Sequence, residues 1–285
     1  EDSNYPRLLK HCADAPLVLF YKGILDDSDS KNIAIVGTRK ATEMGKKRVD
    51  TLLHELAETG YHPNIISGLA YGIDITAHTA CIHYGLKAQA VLGHGLHMVY
   101  PASHKNMAEK ILEQGGALIS EFPTCAQILP TNFLQRNRIV AGMSEAILVA
   151  ESPIKGGAMS TARQALSYNR DVMAIPGRPE DPTFAGCNLL IKQNIAALVE
   201  NIKDLLRILN WPPLPTGPYQ MSLDLFPITN NEVLLLEILL KRGEQNIDQL
   251  HQLTRIPVHD LSVLLLKLEL EGHVMQLPGN CYTLI

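Results

Sequence analysis

The chain has 285 residues, of which 46% are hydrophobic, and a formal net charge of −4 at pH 7. This length is enough for one large domain, or for a medium and a small domain that each bury a core. No apolar run reaches the roughly 18 to 20 residues of a membrane helix, and Glu1-Asp2-Ser3 does not begin a signal peptide, so we expect a cytoplasmic protein without a membrane partner.

Cysteine number and charge distribution restrict the function further. The five cysteines are widely spaced and form no C-x-x-C pair, which argues against a disulfide framework and a zinc ribbon. A negative net charge is an objection to nucleic-acid binding, because phosphate-binding domains usually present a basic face. From Trp211 onward, however, four Lys/Arg stand against eight Asp/Glu. The acidic excess therefore lies entirely in the last quarter of the chain.

Short apolar runs alternate with helical patterns along the first 200 residues. Six of these runs have the composition of buried strands, at residues 32–36, 64–67, 89–92, 117–120, 146–150 and 172–175. Repeated alternation of strands and helices predicts an α/β fold with a Rossmann-like, mostly parallel sheet covered on both faces. Ligands in such folds bind outside the carboxyl ends of the strands, which is where the glycine-rich loops fall.

A proline-rich segment at residues 212–218 predicts a linker. Beyond it, three helical patterns at 230–241, 247–254 and 258–271 precede a predicted hairpin of 273–277 with 281–285, which together indicate a small winged-helix-like domain. The predicted organisation is a lead-in segment packed on the core, the Rossmann-like domain, a linker and the winged-helix-like domain, at 1–30, 31–210, 211–228 and 229–285.

The first loop, Gly37-Thr38-Arg39, joins a predicted strand to a helix with Thr42 as N-cap. Its backbone N–H groups and the Arg39 guanidinium suit a phosphate, although an ordinary turn with a solvated Arg39 fits the same residues. A Walker A motif is excluded, because Lys47 stands where that motif requires Ser or Thr.

The second loop opens with Ser67-Gly68, whose hydroxyl and N–H predict a second phosphate site. Asp74 and His78 are four residues apart on one helical face, which permits a hydrogen bond between them. A Ser67, His78 and Asp74 triad is disfavoured, because Ser67 lacks the G-x-S-x-G elbow.

Three histidines, at positions 94, 97 and 104, raise the alternative of a metal site. Their spacing fits no established metal motif. We therefore expect neither a metal nor another cofactor.

Arg136-Asn137-Arg138 begins an apolar helix, where two guanidiniums would oppose the helix dipole unless an anion compensates. Phe133, one turn earlier, is either a base-stacking ring or a core residue. A last glycine turn, Lys155-Gly156-Gly157, precedes a helix with Ser160 or Thr161 as hydroxyl donors. Four phosphate-type loops exceed the needs of a mononucleotide and favour a polyanion running across the strand ends.

Several strings occur together and in order: VGTR, SGLAYGIDITAH, VLGHGLHMVYP, GALISEFP, FLQRNRIVAGMS, GGAMSTARQAL and AIPGRPEDPTFAGCNLLI. With the lead-in around Tyr5-Pro6, they closely resemble the DNA-processing protein A (DprA/Smf) family over about residues 5 to 200. The tail resembles that family's C-terminal winged-helix-like domain. Relatives often carry a helical domain before the lead-in, so the resemblance implies a further segment upstream of Glu1.

The resemblance implies a homodimer that catalyses no reaction. Such a protein binds single-stranded DNA, protects incoming strands and loads the RecA recombinase in natural transformation and homologous recombination. Together with the loop chemistry, it gives the predicted DNA-binding residues: Gly37, Thr38, Arg39, Ser67, Gly68, Phe133, Arg136, Asn137, Arg138, Lys155, Gly156, Gly157 and Thr161. His97 replaces the Asp usual in the family, and Lys155-Gly156-Gly157 stands where Ser-Gly-Ser is common.

One enzymatic alternative is a nucleotide phosphoribohydrolase of the lysine-decarboxylase-like type, which shares the core and the glycine loops. Those enzymes depend on a P-G-G-x-G-T-x-x-E string, and Pro176-Gly177-Arg178-Pro179-Glu180 interrupts it after one glycine, leaving no placed catalytic glutamate.

The acidic tail favours protein interaction over a second DNA-binding role, because recognition helices normally lie among Lys and Arg.

Overall fold

A computed structural model of the chain describes residues 5–25, 31–211, 230–270, 272–277 and 280–284. The chain divides into two compact units, Glu1–Thr216 and Gly217–Ile285. Apart from Trp211, the predicted linker lies outside the described residues, so its bounds stay a prediction. None of the helices in the described part of the chain combines the length and apolar character needed to span a bilayer.

The first unit contains an eight-stranded sheet in the order β1-β5-β4-β3-β2-β6-β7-β8. Its strands are β1 Phe20–Gly23, β2 Asn32–Gly37, β3 Asn64–Ser67, β4 Lys87–Leu92, β5 Ala117–Ser120, β6 Ala146–Glu151, β7 Asp171–Ala174 and β8 Ala197–Leu198. Only β1 runs antiparallel to its neighbour, so the mostly parallel Rossmann-like sheet is confirmed. All six predicted strands are present, and the two unpredicted strands, β1 and β8, are the exposed edges.

Eight α-helices of this unit are described: α1 Arg7–Lys10, α2 Glu43–Glu58, α3 Ile73–Tyr84, α4 Lys105–Glu113, α5 Pro130–Met143, α6 Gly157–Ser167, α7 Ala185–Lys192 and α8 Ile202–Ile208. They cover both faces of the sheet. Alternate residues of β2 belong to different cores, because side chains along a strand point to opposite faces: Ile33 and Ile35 pack with α2, α3 and α4, whereas Ala34 and Val36 pack with α5 and α6.

The lead-in segment contributes to the second of these cores. Leu9 and Cys12 are buried there against the helix α5. The Arg170 guanidinium donates to the backbone oxygen of Leu8 at 2.8 Å, and the Tyr5 hydroxyl donates to the oxygen of Pro16 at 2.6 Å.

Trp211, which we predicted to begin the linker, instead completes the first unit. Its side chain is 3% exposed, and its ring lies 5.1 Å from that of Tyr61. The Lys31 ammonium lies 4.5 Å from the Trp211 ring centroid, a cation–π distance. Burial of this large apolar surface ties Trp211 to the folded unit.

The second unit has three helices and a small sheet. The helices are α9 Asn230–Arg242, α10 Ile247–Thr254 and α11 Val258–Leu270, and the strands β9 Gln245–Asn246, β10 Val274–Leu277 and β11 Cys281–Leu284 pair in the order β10-β11-β9. Leu235, Leu250, Leu265 and Val274 are fully buried between helices and sheet. The predicted winged-helix-like fold is confirmed; only the two-residue strand β9 was not predicted.

Candidate nucleic-acid interface

A cleft of about 360 Å³ opens at the carboxyl ends of β2 and β3, where a doubly wound sheet places its ligands. It lies between the loop after β2, the loop after β3, helix α5 and the start of α6. The lining residues include ten of the thirteen predicted binding residues: Gly37, Thr38, Arg39, Gly68, Phe133, Arg136, Asn137, Gly156, Gly157 and Thr161. The predicted loops thus converge on one cleft rather than forming a row of separate sites.

The first loop is organised by a buried carboxylate. Thr42 caps α2 as predicted, accepting a bond from the Gly45 N–H at 3.1 Å. The Thr42 N–H and hydroxyl both donate to the carboxylate of Glu151, each at 3.0 Å, and the Thr38 N–H donates to the Glu151 backbone oxygen at 2.7 Å. Glu151 is fully buried, and a side chain at Gly45 would collide with it. The anion expected at the start of α2 is therefore the protein's own glutamate.

The second loop also contacts a carboxylate of the protein itself, that of Asp74. The Ala70 N–H donates to the Asp74 carboxylate at 3.4 Å, and the Gly68 N–H further lowers the pKa of that carboxyl. Burial outweighs these contacts and the nearby Arg136 charge, so the pKa of Asp74 is raised. An internal carboxylate therefore contacts the N–H groups of this loop, and the phosphate site at Ser67-Gly68 stays a prediction.

Arg136 forms the floor of the cleft. Its side chain is 4% exposed and donates to the backbone oxygen of Val91 at 2.9 Å. Burial lowers its pKa, and the Asp74 charge opposes that effect. A Cβ at Gly68 would overlap the Arg136 guanidinium, so only glycine allows this close packing. Arg136 thus lies under the cleft as a buried cation compensated by Asp74.

Arg39 is the exposed cation of the cleft. Its guanidinium carbon lies 5.3 Å from the centroid of the Phe133 ring, within the range of a cation–π interaction. Phe133 is half-buried and packs over Gly93, where a Cβ would come within 2.9 Å of the ring. Of the two possibilities left open for Phe133, the structure supports a ring at the cleft rather than a core residue.

The start of α6 offers backbone donors to the cleft. Gly156 is its N-cap, and no side chain caps the helix. Nothing lies within 4 Å of a Cβ built on Gly157, so the approach to the first N–H groups is open. Thr161, one turn later, donates its hydroxyl to the Gly157 oxygen at 3.4 Å. An uncapped helix N-terminus with this access suits an anion.

Three predicted binding residues do not line the cleft. Ser67 is fully buried and donates its hydroxyl to the Ile35 oxygen at 2.6 Å. Arg138 pairs with Glu121 and donates to the backbone oxygen of Asp14, on another face of α5. Lys155 is exposed in the turn before α6. Internal partners hold the polar groups of the first two in this structure, so their role as phosphate contacts stays a prediction.

His78 does not bond to Asp74, contrary to expectation. Neither of its ring nitrogens has a hydrogen-bond partner among the described residues. Burial, together with the charges of Arg136 and His104, lowers the pKa of His78 to about 3. Because His78 bonds to neither residue, no Ser67, His78 and Asp74 triad is formed.

Two of the three loop histidines, His94 and His104, contact the backbone. His94 accepts a hydrogen bond from the Tyr100 N–H through Nε2 at 3.1 Å, and His104 Nδ1 lies 2.8 Å from the Leu69 oxygen. Within the described ranges, no group of three or more His, Cys, Asp or Glu is placed to hold a metal ion.

Two residues of this region were missed in the sequence. Glu151 ends β6 and organises a loop 109 residues earlier; an acidic residue closing an apolar strand was its only signal. Tyr100 is half-exposed beside the cleft, with its ring 5.8 Å from that of Phe133. A tyrosine before a proline in a loop carried no distinctive pattern.

Comparison with known proteins agrees with this architecture. Protein Smf of Synechocystis sp. is 35% identical, with 99% of this chain and 78% of that protein aligned; Protein Smf of Escherichia coli is 36% identical, over 97% and 74%. The X-ray structure of DprA from Streptococcus pneumoniae has 37% identity and a TM-score of 0.67, covering 72% of this chain and 71% of that one.

A second solved relative is DprA from Helicobacter pylori, whose structure concerns a single-stranded DNA binding mode. It has 29% identity and a TM-score of 0.64, covering 72% of this chain and 92% of that one. Family models match residues 1–210 as DNA recombination-mediator protein A and residues 235–280 as the DprA winged helix domain. The chain therefore belongs to the DNA recombination-mediator protein A family.

Proposed function

We propose that this protein binds single-stranded DNA in the cleft and catalyses no reaction on it. The observation that carries the proposal is the placement of the Arg39 guanidinium over the Phe133 ring, in a cleft that also contains the uncapped start of α6. A cation and backbone N–H groups suit a phosphate. An aromatic ring beside them suits a base.

The preference for a single strand follows from the access to bases. Aromatic stacking requires bases that are not already stacked and paired in a duplex. The relative from Helicobacter pylori, which shares the fold at a TM-score of 0.64, binds single-stranded DNA. Its similarity supports the same ligand class for this chain.

The carboxylate of the cleft supports a binding rather than a catalytic role. Among the described lining residues, Asp74 is the one acidic side chain, and the Gly68 and Ala70 N–H groups and Arg136 hold it in place. For the phosphoribohydrolase alternative, a glutamate would have to face the cleft, and Glu151 is instead buried against Thr42. Release of free base from AMP by the purified protein would revive that alternative.

The cellular role rests on family membership. We propose that the bound strand is protected from nucleases and transferred to the RecA recombinase, and that the protein acts as a homodimer. The recombination-mediator family match supports this role. Faster RecA assembly on oligonucleotide pre-bound by this protein is expected, and the same rate with and without the protein would contradict it.

For the second unit, we propose a protein-interaction role. Helix α11 exposes Val263 at 68% and Leu266 at 57%, and its Lys267 pairs with the buried Glu232 at 2.8 Å. Apolar residues in place of free cations suit a protein partner better than phosphate.

The binding proposal is tested by fluorescence anisotropy with a labelled single-stranded oligonucleotide at several salt concentrations. Arg39→Ala is expected to weaken binding about tenfold and to reduce the salt slope by about 0.7, the value for one phosphate contact on a single strand. Arg207→Ala is the matched control, because Arg207 is exposed on α8 and its substitution also removes one positive charge. No binding by the unchanged protein at micromolar concentration, or equal losses in both variants, would refute the proposal.

A further inference from the structure

A second aromatic ring stands beside the cleft, on the loop after β4. Tyr100 is 49% exposed. Its ring centroid lies 5.8 Å from that of Phe133, with the planes at 43°. The Arg39 guanidinium lies 5.3 Å from the same Phe133 ring. Phe133 therefore lies next to both Arg39 and Tyr100.

The loop holds Tyr100 in position from behind. The Tyr100 N–H donates to His94 Nε2 at 3.1 Å, and the buried Ser120 hydroxyl donates to the His94 oxygen at 2.7 Å. Pro101, the next residue, is buried. Because these contacts hold the Tyr100 backbone, only the side-chain torsions remain to be restricted when a ligand covers the ring.

The Phe133 and Tyr100 rings differ in how much of their surface is exposed. Phe133 has Arg39 over its ring and Gly93 packed closely against it, so much of its surface is already covered. Tyr100 has half of its surface exposed to solvent. A base arriving next to a phosphate at Arg39 thus finds a more open aromatic surface at Tyr100 than at Phe133.

We propose that Tyr100 is a base-stacking platform for the nucleotide that follows the phosphate bound at Arg39. This inference rests on the proposed binding of single-stranded DNA and extends that site beyond the cleft. Stacking uses the π-face that every base possesses, so the platform is tolerant of sequence. Arg39 binds the backbone, and Tyr100 contributes through the base.

The test compares two ligands of equal length, an ordinary oligonucleotide and one whose nucleotides lack bases. Tyr100→Ala is expected to weaken binding of the ordinary strand about thirtyfold, the middle of the range for loss of one stacked base. Binding of the abasic strand and the salt slope are expected to stay unchanged. Tyr100→Phe keeps the ring and is expected to bind like the unchanged protein.

Tyr21→Ala is the matched control, because Tyr21 is a 44% exposed tyrosine on the edge strand β1 and lies outside the cleft. Ordinary-strand affinity of Tyr100→Ala equal to that of the control would overturn the inference. Equal loss on both ligands would also overturn it, since Tyr100 would then only shape the loop. In both cases, weaker binding by Arg39→Ala would still support the proposed function. If the unchanged protein bound neither ligand, both the proposed function and the role of Tyr100 would be refuted.

A direct signal is available from Tyr100→Trp. Stacking of a base on the new indole is expected to quench its fluorescence with the ordinary strand and not with the abasic strand. Equal emission changes with both ligands would contradict stacking.

Discussion

Replacement of Arg136 by methionine tests whether this residue is a buried structural cation rather than a phosphate ligand. The change removes the guanidinium that donates to the Val91 oxygen and leaves the Asp74 carboxylate buried without its cation. Breaking a buried charge pair by removing one partner costs about 3–5 kcal/mol. For a unit of this size, that loss lowers the melting temperature by roughly 6–20 °C. Arg39→Ala, at an exposed site, is expected to change stability by less than about 0.5 kcal/mol.

The assay follows the fluorescence of Trp211, the single tryptophan of the chain, which is buried in the first unit. Adding Asp74→Asn to Arg136→Met removes the uncompensated charge and is expected to recover part of the loss. Because Arg136 lowers the pKa of Asp74, its removal raises that pKa further above the unfolded value. The folded state then holds the proton more tightly, so the variant's deficit shrinks as pH falls from 7 toward 4. A single variant as stable as the unchanged protein, or a double variant no better than the single one, would refute this account.

Three further predictions concern stability and the second unit. His78 has a pKa of about 3 in the folded protein against 6.5 as a free group, so the free energy of unfolding should fall by about 2 kcal/mol between pH 7 and pH 5 because of this residue. The His78→Leu variant is expected to lose less stability over the same pH range, measured by Trp211 fluorescence. Gly68→Ala should destabilise by about 1–3 kcal/mol through collision with the guanidinium below it, whereas Gly157→Ala, in open space, should unfold at the same denaturant concentration as the unchanged protein. Deletion from Pro212 onward is expected to leave oligonucleotide affinity within about twofold, because the removed segment has more Asp/Glu than Lys/Arg; a larger loss by anisotropy would assign DNA contacts to it.

The sheet could be predicted because its central strands are buried on both faces and therefore read as continuous apolar runs. The run at Ala146–Glu151 is a clear case, since all six residues are buried. The edge strands lack this signal: Phe20–Gly23 is exposed along its whole length, and Ala197–Leu198 is only two residues long. Their pairing depends on neighbours distant in sequence, which composition does not show.

Most of the predicted site residues line one cleft, but the contacts that their side chains make were only partly predictable. Three consecutive helical residues, Arg136, Asn137 and Arg138, were all assigned to the ligand. Successive helical side chains point about 100° apart, so one is buried below the cleft, the second lines it and the third pairs with Glu121. This helical geometry was available from the sequence and argues against assigning a run of neighbours to one ligand.

The internal carboxylates were not available from the sequence, and they change how the cleft works. Glu151 and Asp74 occupy two of the predicted phosphate loops, leaving Arg39, Asn137 and the start of α6 as donors that line the cleft. With few phosphates held, counterion release contributes little, and the shallow salt dependence expected for one or two contacts follows. Lys/Arg and Asp/Glu are equal in number before residue 211, so long-range attraction is weak as well. Affinity for a single strand must then come largely from its bases, which makes the exposed ring beside the cleft as important as the cation within it.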